Sequence, residues 1–355
     1  MVLFRVSLQK IRAMNISHIR LLNQQLVSSR FTDVHDLVAW MGMVQAQEYK
    51  MMRWAVGMRL REPSMRAFRE AYDAGRIVRT HLFRCTWQLV AAEDLGWMLP
   101  LCAERNKVSI QGYLAYHGRR IEEREYERAN RLICDALAGE KSVRKDILLA
   151  RLAECGLEDD AHTMSIYLRR AEADGIICSG ELDSRQNTYA LVEERIPRLR
   201  ELRRDEAIAE LARRYFRSHS PATLEDFVWW SNLGVGECRA AIKSICSELI
   251  SESYAGETYF IHRDCRVRGY RRQTILLPSY DEYLIGYKSR HHAFEEEFRH
   301  RIHSSNGLFY PVILHDGQVV GNWHPTREPS FFRDEMQPDV ADAFLRYRQF
   351  WDSDR

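Results

Sequence analysis

Apolar residues recur along this chain in two rhythms, one of three to four and one of two, and the rhythms succeed each other in the same order several times. Ile16, Ile19, Leu22 and Leu26 share one helical face. Val34, Leu37, Val38 and Met41 form a second, which Thr32 or Asp33 can cap and Gly42 stops. MVQAQEYK follows, then WAVGMRL, which fits a strand or a helix. Pro63 and Ser64 open the amphipathic MRAFREAYDAG, which Gly75 closes; IVRTHLF and TWQLVA then read as short strands joined by Arg84-Cys85. Helices followed by a β-hairpin is the order of a winged helix.

The same order returns from Tyr126. YERANRLICDAL reads as a helix, Ser142 caps a second in KDILLARLAEC that Gly156 ends, and DAHTMSIYLRRAEADG is a third. IICSGELDSRQNTYALV then supplies two strands around a polar turn. After Arg204 come the helices DEAIAELARRYFRSH, ATLEDFVWWSN opened by Ser220-Pro221, and GECRAAIKSICSEL, then a wing turned at Ala255-Gly256. SVRKDILLARL aligns with SPATLEDFVWW in role and order, an internal repeat of about 70 residues carried by pattern rather than identity. From about Thr274, TILLPSYDEYLIGY, FYPVILHDG and QVVGNWHP are strand-like, and MQPDVADAFLRYRQFW closes the chain as a helix. The expected fold is α+β: three tandem winged-helix units (helix-turn-helix plus β-wing) at 14–100, 122–194 and 204–264, and a small β-rich C-terminal domain at 274–355.

Charge narrows the choice of partner less than placement does. Lys and Arg total 52 against 50 Asp and Glu, a net +2, which excludes a uniformly polycationic coat but not a basic patch. Arginines crowd the wings and linkers: Arg76, Arg79 and Arg84; Arg195, Arg198, Arg200, Arg203 and Arg204; Arg266, Arg268, Arg271 and Arg272. The third helix of the second unit offers His162, Thr163, Ser165, Tyr167, Arg169 and Arg170, where a helix-turn-helix reads the major groove. Tandem units on one chain suggest wrapping a duplex. No apolar run reaches membrane-spanning length, and the opening MVLFRVSLQK lacks a signal-peptide core. The eight cysteines contain no C-x-x-C pair, so the expectation is a reduced, cytoplasmic protein without a zinc ribbon. Nothing resembles a coiled coil, and a monomer is expected.

Three stretches point further: LVAWMGMVQAQ with Gln45-Ala46-Gln47, VRTHLFRCTWQLVAAEDLGWML, and LLPSYDEYLIGYKSR. In this order and spacing they resemble the bacterial winged-helix DNA-binding-domain family that includes azinomycin self-resistance and interstrand-crosslink-unhooking DNA glycosylases. The resemblance runs from about Asn15 to Trp323. It implies cleavage of the N-glycosidic bond of N7-alkylated purines in double-stranded DNA, without metal or cofactor, with Gln45 and Gln47 as the catalytic pair. The mechanism implies an extended or turn conformation at that motif, because a helix would point the two glutamines apart. Arg79, Arg84, Thr86, Trp87 and Gln88 of the hairpin, Arg169 and Arg170, and Lys288 and Arg290 are the candidate DNA contacts. Gln88 stands where the family more often has the histidine of Thr-x-His, and it cannot carry a charge. Asp281 and Tyr283 read as structural, Asp281 through an ion pair with Arg290.

Other constellations lead elsewhere. HHAFEEEFRHRIH lacks the H-E-x-x-H of a metal helix and reads as a solvated charged helix with His292, Glu296, His300 and His303 on one face. Trp229-Trp230 reads as core on one side and rim on the other. No glycine-rich phosphate loop or G-x-S-x-G elbow is present. Two alternatives to the glycosylase are a winged-helix DNA-binding protein without chemistry and a protein-interaction scaffold.

Overall fold

The computed structural model describes residues 15–157 and 160–354; the opening MVLFRVSLQK lies outside them. The chain forms two compact units, each assembled from separated stretches. One comprises the described residues up to Val44 with 50–68 and 208–354, the other 45–49 with 69–207. Among the described residues, no helix is long and apolar enough to cross a membrane.

The unit containing the Gln-Ala-Gln motif has two three-stranded sheets. The first runs in the order β1-β3-β2, with β1 Val44–Gln45, β2 Ile77–His81 and β3 Trp87–Ala91. The second runs β4-β6-β5, with β4 Val143–Arg144, β5 Ile177–Ser179 and β6 Thr188–Leu191. Helices Glu123–Leu137, Lys145–Glu154 and Ala161–Ala173 bury one apolar core in which Ala129, Ile133, Leu137, Leu148, Leu152 and Ala171 are fully enclosed. Ile133 and Leu137, like Leu148 and Leu152, are four residues apart, the step that stacks side chains on one helix face. The helix Lys145–Glu154 is entered through Arg144; Ser142, expected as its cap, instead accepts the Glu181 N–H at 2.9 Å on its hydroxyl. A 22-residue helix, Leu95–Tyr116, has no counterpart in the sequence reading. Its first nine residues are apolar all round, while its second half buries only Asn106, Ile110 and Leu114, so no single stripe runs its length, and Pro100 lies inside it.

In the other unit, helix Val34–Met41 carries its expected stripe and Ile16–Asn23 carries Ile16, Ile19 and Leu22 of its own, Leu26 lying past the helix end; Asp33 is the cap of the second, accepting the Asp36 N–H. WAVG of WAVGMRL is helix, the end of Met51–Gly57, and MRL lies past it. Leu224–Ser231 begins one turn later than expected, at a capping box of Thr223 and Asp226. The wing, β7 Leu249–Tyr254 and β8 Glu257–His262, turns at Ala255 and Gly256, both with positive φ. An antiparallel sheet in the order β12-β11-β10-β9 follows, from β9 Thr274–Leu277, β10 Val312–His315, β11 Gln318–His324 and the unforeseen β12 Arg327–Phe331. Only TILL of TILLPSYDEYLIGY is strand; Glu282–Ile285 is a helical turn capped by Asp281. HHAFEEEFRHRIH is not one helix: it breaks into the short turns Glu296–Phe298 and Arg299–Ile302. Helix Ala341–Asp352 ends the described chain.

Candidate active site

Gln45 closes β1, and the pairing with β3 continues one residue further, because Ala46 N–H donates to the Trp87 carbonyl at 2.7 Å. The motif is therefore extended. The pleat places the Ala46 methyl, 1% exposed, opposite the two glutamine side chains. Gln45 is 8% exposed and its Oε1 accepts from Arg84 Nη2 at 3.0 Å. Gln47 is exposed, and its Oε1 accepts the Trp87 backbone N–H at 3.3 Å. A donor facing each amide fixes which end is the oxygen, so both carbonyls have defined directions.

The β2–β3 hairpin supplies these donors from its register. His81 pairs with Trp87, Thr80 with Gln88 and Arg79 with Leu89, so Arg79, His81 and Trp87 share one face. Arg79 is buried: its Nε donates to the Ala46 carbonyl at 2.9 Å and Nη1 to Asn187 Oδ1 at 2.9 Å. Its guanidinium stacks 3.8 Å from the Trp87 ring, and burial lowers its pKa. On the other side of Trp87, at 4.0 Å between ring centroids, lies His81, whose Nδ1 donates to buried Glu172 at 2.5 Å. Burial holds the His81 imidazole below its ordinary pKa against the pull of Glu172, and Arg79 and Arg169 push the same way. The Cys85 thiol is pushed up by burial, which disfavours thiolate chemistry beside the motif.

Gln88 faces inward and is fully buried. Its Nε2 donates to the Phe83 carbonyl at 3.1 Å and to Thr86 Oγ1 at 3.3 Å, pinning the hairpin loop from beneath. Arg84, Thr86 and Trp87 are half-buried at the tip.

The structure thus gathers Gln45, Gln47, Arg79, Arg84, Thr86, Trp87 and Gln88 into one cluster. The helix Ala161–Ala173 turns most of its expected reading face inward: Thr163 and Tyr167 are buried, and Ser165 accepts from Lys145 Nζ at 3.1 Å. Arg170 lies over Tyr126 and is bound by Glu123 and Asp174, whereas Arg169 is half-buried and close enough to His81 and Cys85 to act on both electrostatically. Lys288 and Arg290 belong to the other unit. There Lys288 is exposed, and Arg290 Nε donates to the Leu284 carbonyl at 2.7 Å while its guanidinium lies 5.3 Å from the Trp229 ring. Asp281 is structural, but through Arg59 rather than Arg290: a bidentate pair at 2.8 Å and 2.8 Å, both side chains fully enclosed. Tyr283 is buried, its hydroxyl on the Gly317 carbonyl. Trp230 is fully buried and Trp229 is 43% exposed.

Sequence reasoning missed His81, Glu172 and Asn187. His81 was within reach, since pairing the two strands sets it opposite Trp87; Glu172 and Asn187 arrive from far along the chain and leave no local signal. Among the described residues, Asp33, His35 and Asp36 are near enough to share a cation, but Asp33 is occupied as a helix cap.

Comparison with known proteins gives three matches. The family model described as "DNA glycosylase AlkZ-like" matches residues 38–343. A protein of Streptomyces sahachiroi named as an interstrand DNA cross-link repair glycosylase is 23% identical, the match covering 81% of each chain. The solved structure of the S. sahachiroi DNA glycosylase AlkZ has the same mixed α/β fold, with a TM-score of 0.76 over 96% of this chain and 95% of that one at 20% identity.

Proposed function

Since the chain belongs to the AlkZ-like DNA glycosylase family, we propose that it hydrolyses the N-glycosidic bond of alkylated purines in duplex DNA, with Gln45 and Gln47 holding the attacking water. The observation that carries this reading is the pair of directed amide oxygens on one side of an extended segment, Gln45 Oε1 beneath Arg84 and Gln47 Oε1 on the Trp87 N–H. A purine alkylated at N7 bears a formal positive charge and departs without a general acid. The protein has then to hold a water below the sugar and favour the positive charge developing there. An amide oxygen accepts a hydrogen bond from that water and presents partial negative charge. It is too weak a base to drive loss of an undamaged base. The relative named for cross-link repair supports extending the substrates to bulky and crosslinked N7 adducts.

In this reading Arg84, Thr86, Trp87, Arg169, Lys288 and Arg290 contact DNA, while Arg79, Gln88 and Arg170 brace those surfaces from inside. The reaction needs no metal, cofactor or Schiff-base lysine. The chain is proposed as three winged helices at 14–100, 122–194 and 204–264 with a β-rich domain at 274–355, which the repeated order of helices then hairpin supports.

The test is base release from a duplex carrying one N7-methylguanine, read by alkali cleavage at the abasic site. Wild type should release the base, and Gln45→Ala and Gln47→Ala should each slow release on the order of 100-fold or more. Release that survives both substitutions removes the site, and DNA binding without release by wild type leaves either an enzyme that requires a bulkier adduct or a non-catalytic winged-helix protein.

A further inference from the structure

The unit built from 15–44, 50–68 and 208–354 holds a cavity of about 210 Å³, lined by that unit alone. It lies where the chain after Ile16–Asn23, helix Met51–Gly57, strand β9 and helix Ala341–Asp352 meet. Trp54, Met58, Leu60 and Leu276, all buried, give it apolar walls. Two more of its lining residues, Gln25 and Ser28, are left-handed at φ 60° and 52° although neither is glycine. Backbone strain of that kind persists only where the surroundings hold it, and ligand clamps are one such place.

The polar part of the lining divides in two. Ser29 Oγ donates to the Arg59 carbonyl at 2.5 Å, Gln273 Nε2 to the Leu26 carbonyl at 2.8 Å and Thr274 Oγ1 to the Asp339 carbonyl at 3.0 Å, so these groups are spent on the fold. Two arginines, Arg61 and Arg346, are not, and among the described residues the lining contains no carboxylate. Arg346 rests Nη2 on the Met58 and Leu60 carbonyls at 3.3 and 3.0 Å, and partial burial lowers its pKa with no charged group acting on it. Arg61 is exposed and uses only its backbone N–H, on the Phe31 carbonyl at 2.8 Å. Two cations lining one hollow with low-dielectric walls and no acid make its potential positive.

We propose that this cavity binds a small organic anion, with the apolar body of the ligand against Trp54 and Leu276 and its carboxylate or phosphate on Arg61 and Arg346. A cavity of about 150 Å³ takes a benzene ring, so this one has room for one ring and its anionic group. Few polar groups converging on an otherwise apolar hollow is the usual make-up of a small-molecule site. The site stands apart from the glycosylase reading, since Gln45 and Gln47 belong to the other unit.

Titration calorimetry of the full chain with phenyl phosphate and with benzoate tests this, against benzyl alcohol as the body without the charge and inorganic phosphate as the charge without the body. At least one of the two aryl anions should bind with a Kd of about 1 mM or below, and both controls at least about ten-fold more weakly. Arg346→Gln should weaken the anion about ten-fold or more, and Arg61→Gln, which takes no side-chain bond from the fold, about three-fold or more. Ala343→Leu, which fills the hollow and keeps both cations, should abolish binding, with thermal unfolding showing that each variant is folded. No saturable binding of either aryl anion up to about 10 mM would overturn the site. So would a control that binds as well as the anions, or affinity unchanged in both arginine variants. Displacement of the anion by an undamaged duplex would make the arginines part of a DNA surface and would equally end the small-molecule reading.

Discussion

Arg79 shows at the scale of one residue how charge read from sequence differs from charge in place. It stands in IVRTHLF, every β2 position of which is buried, so alternation gave no sign of which way it points. The structure turns it inward, where it holds the Ala46 carbonyl and Asn187 and covers one face of Trp87. Arg79→Ala leaves a buried carbonyl and a half-buried amide oxygen without their donor, and should cost about 2–3 kcal/mol, read as a lower urea midpoint at unchanged slope. Arg79→Lys should recover only part of that, since one ammonium cannot replace a planar fork. An unchanged midpoint in Arg79→Ala would show that the motif is held without it. Gln45 and Gln47 were legible as a motif and, through the mechanism that the family implies, as an extended or turn segment; their donors were not, because Arg84 and the Trp87 amide lie some 40 residues away in the chain and meet the motif only through β1–β3 pairing.

Elements with one clear stripe and punctuated ends were legible, and those without were not. Val34–Met41 has its cap at Asp33 and its stop at Gly42, while Leu95–Tyr116 has no stripe along its length and β12 holds Pro329. Packing between elements sets demands that neither sequence alone reveals. Gly57 ends the helix Met51–Gly57 against the terminal helix, where an added Cβ would lie 2.3 Å from Phe350 Cε2. Gly57→Ala should therefore destabilise by about 1–3 kcal/mol through overpacking, although alanine is the better helix former. Pairing it with Phe350→Leu should recover part of the loss, and a Gly57→Ala protein as stable as wild type in thermal unfolding would contradict the packing seen. The Arg59–Asp281 pair makes the same point: Asp281 was marked as structural in its motif, but its partner comes from the helix region more than 200 residues earlier, because only the arginine enclosed beside it can neutralise it.

Taken as a whole, the larger unit should respond to acid through histidines it keeps neutral. Burial lowers His219 and His262, and lowers His292 from its ordinary 6.5 to about 3, with Arg20 and His291 adding to the last. His292 meets the Tyr259 hydroxyl at 3.0 Å, and His219 lies beside Glu282. The unfolded chain takes up protons below about pH 6.5 that the native state refuses, so stability present at neutral pH should fall as pH drops from about 6.5 toward 3. Thermal unfolding midpoints should decline across that window, and His292→Gln should flatten the decline; a midpoint level from pH 7 to 4 would exclude it. The sequence by itself determined the alternation of helices and hairpins and the family, because periodicity, caps, turn residues and motif spacing are local and survive in one dimension; the extended or turn conformation at Gln-Ala-Gln followed only from the mechanism that the family implies. Tertiary structure alone decided which arginines face solvent and which are enclosed, that Gln88 braces the hairpin loop from within, that Asp281 answers to Arg59, and that Arg84 rests on Gln45. Each of these depends on which distant group occupies the neighbouring space, and burial, which sets the cost of every unpaired charge, is a property of the folded chain and not of any stretch of it.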